Sequence, residues 1–574
     1  MDERGSTLGQ ADVEAIVRAY LGRMARRYSP LLGALLVLIL LATLMPSRSQ
    51  PVNNAAGSQA AAAGSNEVPD GGTGVGGGTS GNVAASSSGA GTATGGAAST
   101  SAAITPPAAA GSRGVARSGV ACAPGVRQVK WTVYAPLCVP RYTGNNGGTR
   151  YRGVTKDKII AFYRRDRSAQ DTAINAALGS ANLDDNKYIA DLQTYISFFN
   201  KQFELYGRRV ELVVYDGQGD YLNEDQGLDQ GQAQADAQRA VDISGFVDAT
   251  FPLKGSYPFW QALADRKAIT LGPTGFPQGW YQERSPFWYS SFPTGTGVAS
   301  WLSMMVCRRM AHMKPSFAGD ASFSLQNRVF GLVHPDNPEY KEISSFLSSQ
   351  LAKCGVKLAA NISYTFNVAT MGNQSASVAA QLKGAMVSTA LCYCDPVFPI
   401  FLANSADSQD YHPEWWMPGW GDAQAQNLPR DQWIHAVVIG GKYPAKKDDE
   451  AYKVFKLIKP NAEPTGPYYA VAYGIMLMLY DALQQAGPNL TPATFQNGWF
   501  GLGSISGPAG TLEWKPGHFS PIVSAPLAWW DPNATSNFNG SQGAYQPCER
   551  TKFFPFDFDR ASEWGSGQLR CFGK

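Results

Sequence analysis

The residues that usually carry catalysis or bind metals are sparse in this chain. Among 574 residues there are five histidines, His312, His334, His412, His435 and His518. No two have the helical i, i+4 spacing of a metal site. The G-x-S-x-G turn of a nucleophilic serine is absent, and so is the G-x-x-x-x-G-K-[ST] loop that cradles phosphates. The eight cysteines include no C-x-x-C pair, which removes the usual zinc frameworks. Charged residues make up 16% of the chain and the formal net charge is +3. With no basic block interleaved with aromatics, nucleic acid is not an expected partner. Acidic doublets such as Asp184-Asp185 and Asp448-Asp449 read as solvated loop charges. These absences point away from an enzyme and imply no cofactor.

What is present divides the chain into zones. Residues 1–29 form a polar tail in which Arg18, Arg23, Arg26 and Arg27 precede an apolar run, Leu31–Met45. Fifteen residues are short for a membrane span, which takes about 20, and long for a signal-peptide core. The run ends at Pro46 with no small-x-small cleavage site and no cysteine for a lipid. The expectation is an uncleaved signal anchor at 30–46, with a cleaved signal peptide as the alternative; the tail lies in the cytoplasm and the bulk of the chain is extracytoplasmic. Residues 47–120 are largely Gly, Ala, Ser and Thr. Such a segment cannot bury enough surface to offset its ordering entropy, and it reads as a disordered tether. Outside the cytoplasm an even cysteine set is expected to pair. Cys122 with Cys138, Cys307 with Cys354, and Cys548 with Cys571 each fall within one local unit. Cys392 and Cys394 are separated by one residue, so either they are free or the other pairings differ.

From Gly153 the pattern alternates between short apolar strands and amphipathic helices. Lys158–Tyr163, Arg209–Tyr215, Phe246–Val247 and Ala268–Leu271 read as strands, separated by helices at Lys187–Tyr206, Asp225–Val241 and Tyr257–Arg266. Val298–Met310 is a strongly apolar helix. A second series follows, with strands at Val329–Val333, Lys357–Tyr364, Val387–Leu391, Trp415–Met417 and His435–Ile439. Repeated βαβ units force parallel strands and a layered α/β sheet. Glu463–Gly487 then runs apolar from Tyr468 to Tyr480, opened by Pro464, Gly466 and Pro467 and closed by Gly487-Pro488. Asp481, Gln484 and Gln485 interrupt it too early for a span, so it reads as the buried helix of a large domain.

Thr465-Gly466-Pro467-Tyr468-Tyr469, followed by Ala472-Tyr473, resembles the late helix of type I periplasmic binding proteins. The nearest branch is the leucine/isoleucine/valine-binding receptors of ABC importers. Further runs carry the same resemblance: Gly153-Val154-Thr155, Val333 through Tyr340, Met417-Pro418-Gly419, and Gly507-Pro508 through Leu512-Glu513-Trp514. The resemblance implies a two-lobed fold of two parallel-sheet α/β lobes joined by three hinge crossings. Those crossings would fall near Met313–Asn327, Gly440–Pro444 and Ser506–Trp514. It divides the chain into a cysteine-containing lead-in (121–152), lobe 1 (153–318), lobe 2 (319–443), a return to lobe 1 (444–510) and a C-terminal segment (511–574). The implied function is capture of a small molecule, amino-acid-like, amide or short acid, with aromatic or apolar character, for ABC permease subunits. The alternative is a membrane-tethered sensor or orphan binding module acting through a partner protein.

Ligands of open parallel sheets bind beyond the carboxyl ends of the strands. The loops in question are Asp248–Ser256, Gly272–Pro277, His334–Tyr340, Tyr393–Pro399 and Pro418–Asp422. By resemblance, Thr250 and Thr274 stand where amino-acid receptors hold a ligand carboxylate, with Gly275 beside Thr274. Tyr340 matches the tyrosine that closes from the other lobe. The same receptors place an acid in the loop equivalent to Met417–Gly421. Here Gly419 or Trp420 takes that position and Asp422 is the nearest acid. Phe251, Phe276, Trp420 and Phe398 would favour a larger apolar or aromatic compound. The implied ligand-binding residues are thus Thr250, Phe251, Thr274, Gly275, Phe276, Tyr340, Trp420 and Asp422, and no metal site is implied.

Overall fold

The computed structural model describes residues 112–166, 184–419, 421–550 and 552–573. The expected tail and anchor, most of the tether and Trp420 lie outside the described residues. Among those described, no helix is long and apolar enough to cross a membrane.

In the first lobe, β1 (Lys158–Arg165) pairs in parallel with β2 (Arg209–Asp216), from Lys158 opposite Arg209 to Arg165 opposite Asp216. β3 (Val247–Asp248) lies on the other side of β1, and β4 (Ile269–Thr270) lies beyond it. The sheet order β2-β1-β3-β4 is the short-crossover pattern that βαβ units impose. Helices α1 (Asp185–Gln202), α2 (Tyr221–Asp225), α3 (Gln230–Asp242), α4 (Tyr257–Asp265) and α5 (Gln278–Glu283) fill the connections. Side chains fix where they start: Asp184 accepts from the Asn186 N–H at α1, and Ser256 from the Phe259 N–H at α4. Each such cap satisfies a backbone donor that the helix itself cannot.

The second lobe begins with α6 (Gly295–Arg309) and alternates from there. Its parallel strands are β5 (Phe330–Pro335), β6 (Leu358–Tyr364), β7 (Thr389–Cys392), β8 (Glu414–Pro418) and β9 (Ala436–Ile439). Between them run α7 (Pro338–Lys353), α8 (Met371–Gly384), α9 (Phe398–Ser408) and two one-turn helices, α10 (Asp422–Ala425) and α11 (Arg430–Trp433). The chain then returns to the first lobe as α12 (Glu450–Ile458), α13 (Tyr469–Ala486) and α14 (Pro492–Phe500). It comes back a last time as β10 (Leu527–Thr535) and β11 (Gln542–Pro547). β10 adds antiparallel to β9 and β11 antiparallel to β10, giving a seven-stranded sheet of order β11-β10-β9-β8-β7-β5-β6.

Helix α13 is the apolar stretch singled out in the sequence. Ile475, Met476, Leu477, Leu479, Tyr480 and Leu483 are all buried in the first lobe's core. Burying each aliphatic side chain contributes about 1.5–3 kcal/mol. The Tyr480 hydroxyl bonds Asn200 Oδ1 at 2.9 Å, which pins α13 to α1. Gly487 ends the helix at φ +79°, a conformation that favours glycine.

One segment differs from the sequence expectation, and two take places that the sequence did not assign. Helix α6 packs with the second lobe: Trp301, Leu302 and Met305 share one core with Leu332, Trp416 and Val437. The first crossing therefore falls between Tyr289 and Val298, ahead of the expected Met313–Asn327, and the boundary drawn at 318 moves with it. An all-round apolar helix carries no mark of which sheet it will meet. The C-terminal segment also joins the second lobe, where Trp564 meets Trp301 edge-on at 5.0 Å. The lead-in packs on the first lobe, Trp131 stacking on Phe199 at 5.4 Å. All eight cysteines are bonded: Cys122–Cys138, Cys307–Cys354, Cys392–Cys394 and Cys548–Cys571.

Candidate functional site

The carboxyl ends of both parallel sheets open onto one cavity of about 210 Å³. The first lobe contributes Tyr221, Leu222 and Asp225 from α2, Leu253 and Gly255 from the loop after β3, and Tyr257 and Trp260 from α4. It also contributes Thr274, Gly275 and Phe276 from the loop after β4. The second lobe contributes Asn337, Glu339 and Tyr340 around the start of α7, Phe366 after β6, and Asp395 and Val397 before α9. The lobes meet at its rim. Tyr221 and Leu222 pack into the second lobe's core, and Trp280 Nε1 donates to Glu342 Oε2 at 2.9 Å.

Local sequence explains the placement of these side chains. Gly275 adopts φ +76°, which turns the chain after Thr274 so that the Phe276 carbonyl accepts from the Gly295 N–H at 2.8 Å. Pro338 at the first turn of α7 starts the helix and sets Glu339 and Tyr340 on its opening turn. Asp395 accepts from the Val397 and Phe398 N–H groups at 2.7 and 3.0 Å and from the Tyr364 hydroxyl.

A buried ionic cluster supports the first lobe's side. The Arg164 guanidinium, at the end of β1, donates to both oxygens of Glu224 at 2.8 and 3.1 Å and to Asp236 at 3.4 Å. It lies 4.0 Å over the Phe259 ring. Ser256 Oγ donates to Glu224 as well. Glu224 is the immediate neighbour of Asp225, so the cluster fixes α2 against α4 at the cavity wall.

The electrostatics of the cavity are those of acids without counter-charge. Burial pushes the Asp225 carboxyl up to about 8, against the pull of the Tyr257 N–H, and the charge of Glu339 adds to the rise. Burial also raises Glu339 and Asp395 above the usual carboxylate range. The Tyr340 phenol is held well above its usual value by burial and by Asp395 and Glu339, so it serves as a donor.

Comparison with solved structures matches this architecture to a leucine-, isoleucine-, valine-, threonine- and alanine-binding protein from Brucella ovis in its closed conformation. The TM-score is 0.51 at 10% identity, covering 72% of this chain and 99% of that one. The chain has the type I periplasmic-binding-protein fold. Two other structures with that fold are similar to it. One is a fatty acid ABC transporter substrate-binding protein from Thermomonospora curvata (TM-score 0.46, 15% identity, 72% of this chain and 99% of that one). The other is an ABC transporter solute-binding protein from Rhodopseudomonas palustris BisB5 in complex with 3,4-dihydroxybenzoic acid (TM-score 0.47, 14% identity, 70% and 98%). No protein-family model matches the sequence. No curated protein matches it.

Within this fold the residues singled out by sequence divide in two. Thr274, Gly275, Phe276 and Tyr340 come together in the cavity wall. Thr250, Phe251 and Asp422 do not. The Thr250 hydroxyl accepts from the Arg164 N–H at 3.0 Å and is buried behind the wall. Phe251 packs between Tyr188 and Tyr468. Asp422 accepts from Ser536 Oγ at 2.6 Å and the Tyr545 N–H at 2.9 Å, which ties α10 to β11. Sequence reasoning missed Asp225, Tyr257, Trp260, Glu339 and Asp395. Glu339 and Asp395 lie in strand-end loops already named, so their position was the available signal. Asp225 and Tyr257 were read only as parts of helices. Among the described residues, the Pro418–Asp422 loop contributes nothing to the wall.

Proposed function

We propose that this chain is an extracytoplasmic solute-binding protein that closes two α/β lobes around a small organic molecule and delivers it to ABC permease subunits. One observation carries the reading: loops at the carboxyl ends of two separate parallel sheets line a single cavity. Hinge closure buries a ligand there and adds contacts from the second lobe only in the closed state. The Brucella ovis protein of the same fold is a binding protein for small molecules, which supports the class. Four disulfides among the described residues favour an oxidising compartment. The arginine-flanked run before Pro46 is the proposed tether to the cytoplasmic membrane.

The test is a thermal-shift screen of amines, amides, short acids, amino acids and aromatics, followed by calorimetry and small-angle scattering on the hits. The expected result is a ligand that raises the melting temperature and contracts the protein. If no compound of any class does so, the reading fails. Protease treatment of intact, wall-stripped cells checks the topology, since the large domain should be removed and a short membrane-held stub retained.

A further inference from the structure

Three carboxyls, six aromatic rings and no cationic side chain line the cavity. Asp225 comes from the first lobe, and Glu339 and Asp395 from the second. Among the described residues none of the three has a salt-bridge partner. Asp225 accepts only the Tyr257 N–H, at 3.0 Å. The nearby cations are committed elsewhere. Lys254, between two lining residues, is turned to Asp185 at 3.4 Å, and Arg164 is held by Glu224 and Asp236. A second, independent feature marks an unfilled partner. Trp260 is 4% exposed and lines the cavity, yet its Nε1 has no hydrogen-bond partner. Gly255 and Gly272 lie so close to that indole edge that a Cβ on either would collide with it.

We propose that the cleft takes a small organic cation, a protonated amine or quaternary ammonium with an apolar body and one hydrogen-bond acceptor. This rests on the solute-binding reading above and narrows it. Asp395 is buried and Asp225 and Glu339 are half-buried; carboxylates so withdrawn from water without a counter-charge are costly, and a cationic ligand is neutralised from both lobes at once. The ring faces of Tyr257, Trp260, Phe276 and Tyr340 attract cations through their negative quadrupoles. The Trp260 N–H and the Tyr340 hydroxyl are the donors for the ligand's acceptor. An anion would meet three acids and no cation. A metal ion fits poorly, because no group of three or more metal-binding side chains converges among the described residues.

The raised carboxyls give the idea a second readout. Asp225 faces Glu339 across the cleft, with Glu224 and Arg164 behind it, the Tyr257 N–H beside it and Asp395 beyond Tyr340. In the empty cleft the Asp225 carboxyl, pushed up to about 8, holds its proton at neutral pH, and a permanently charged ligand must displace it. Its affinity therefore rises with pH, by up to roughly tenfold per unit below pH 8.

The experiment is calorimetry on the full chain with alkyl- and arylamines and quaternary ammonium compounds, choline and benzylamine among them. The comparison set is 3,3-dimethylbutanol, benzyl alcohol, benzoate, leucine and calcium ion. At least one cation should bind at least about tenfold more tightly than its neutral isostere, with benzoate silent. Asp225→Asn and Glu339→Gln should each weaken that cation by about tenfold or more, and its affinity should rise between pH 6 and pH 8. Equal or tighter binding of the neutral, anionic or zwitterionic compounds, or of calcium, would overturn the cation assignment and leave solute binding intact. Failure of every compound to bind would remove the solute-binding reading, and this inference with it.

Discussion

Replacing Arg164 with methionine should cost the protein about 3–5 kcal/mol. The side chains of Arg164, Glu224 and Asp236 are all fully buried, so the substitution leaves two carboxylates out of water with no counter-charge. Methionine fills similar volume, and the loss is therefore electrostatic rather than a cavity. The contact with the Phe259 ring at 4.0 Å is reduced as well. Two refinements separate this account from simple misfolding. The orphaned carboxylates are relieved by protonation. A carboxyl that binds its proton more tightly in the folded state makes stability fall as pH rises, so the deficit should be larger at pH 8 than at pH 5. Adding Glu224→Gln and Asp236→Asn to Arg164→Met removes the stranded charges and should recover about half the loss. Urea unfolding followed by tryptophan fluorescence measures all three proteins. A loss under about 1 kcal/mol for the single variant, or a combined variant less stable than the single one, would refute the reasoning.

Further outcomes are open to the same kind of test. Thr274→Val should weaken ligand binding about ten- to hundred-fold in calorimetry, whereas Thr250→Val should leave affinity intact and lower stability by about 0.5–1.5 kcal/mol. Tyr340→Phe should act mostly through faster dissociation, seen by stopped-flow, because its hydroxyl joins only when the second lobe closes. Removing Cys307–Cys354, which closes a separation of 47 residues, should cost about 4 kcal/mol in thermal or urea unfolding. Ligand affinity should be unchanged, since both cysteines pack against the second lobe's core and the bond does not span the cleft. Asp481 is fully buried with both carboxyl oxygens unpartnered, and burial holds it well above the usual carboxylate range. Its contribution to stability therefore declines as pH rises above about 4. Asp481→Leu should stabilise the protein by about 1–3 kcal/mol at pH 8 and by less at pH 4, and a less stable variant at pH 8 would contradict this.

Strand positions were legible in the sequence because each is a short apolar run between turn formers, as in Lys158–Arg165 and Phe330–Pro335. The buried helix Tyr469–Ala486 was legible because only a core can accept apolar residues on every face. Assignment of α6 to a lobe was not, since Trp301 and Met305 would pack equally well against either sheet. The site was half legible. Strand-end position named the loops, and the resemblance picked out within them Thr274 and Tyr340, which line the cavity. Thr250, on the same reasoning, turned inward to cap the Arg164 amide. The acids were hidden for a related reason: whether a carboxylate faces a cavity or bulk water depends on the other lobe, and no local pattern records it.

The two antiparallel strands that finish the second lobe's sheet have a consequence for biogenesis. β9 ends at Ile439, and the strand that covers its edge begins at Leu527, with three helices of the other lobe lying between them in the chain. Until the segment Leu527–Thr535 has emerged, β9 presents a row of unpaired backbone donors and acceptors, the template on which stray strands join. The first lobe waits as well, because its core needs α13 and α14. Neither lobe can be excised as a contiguous fragment. A chain delivered N-terminus first gains the last strands of that sheet, and the Cys548–Cys571 bond behind them, only after the first lobe's three helices have followed β9. C-terminal truncations should therefore appear as aggregation during production rather than as weakened binding.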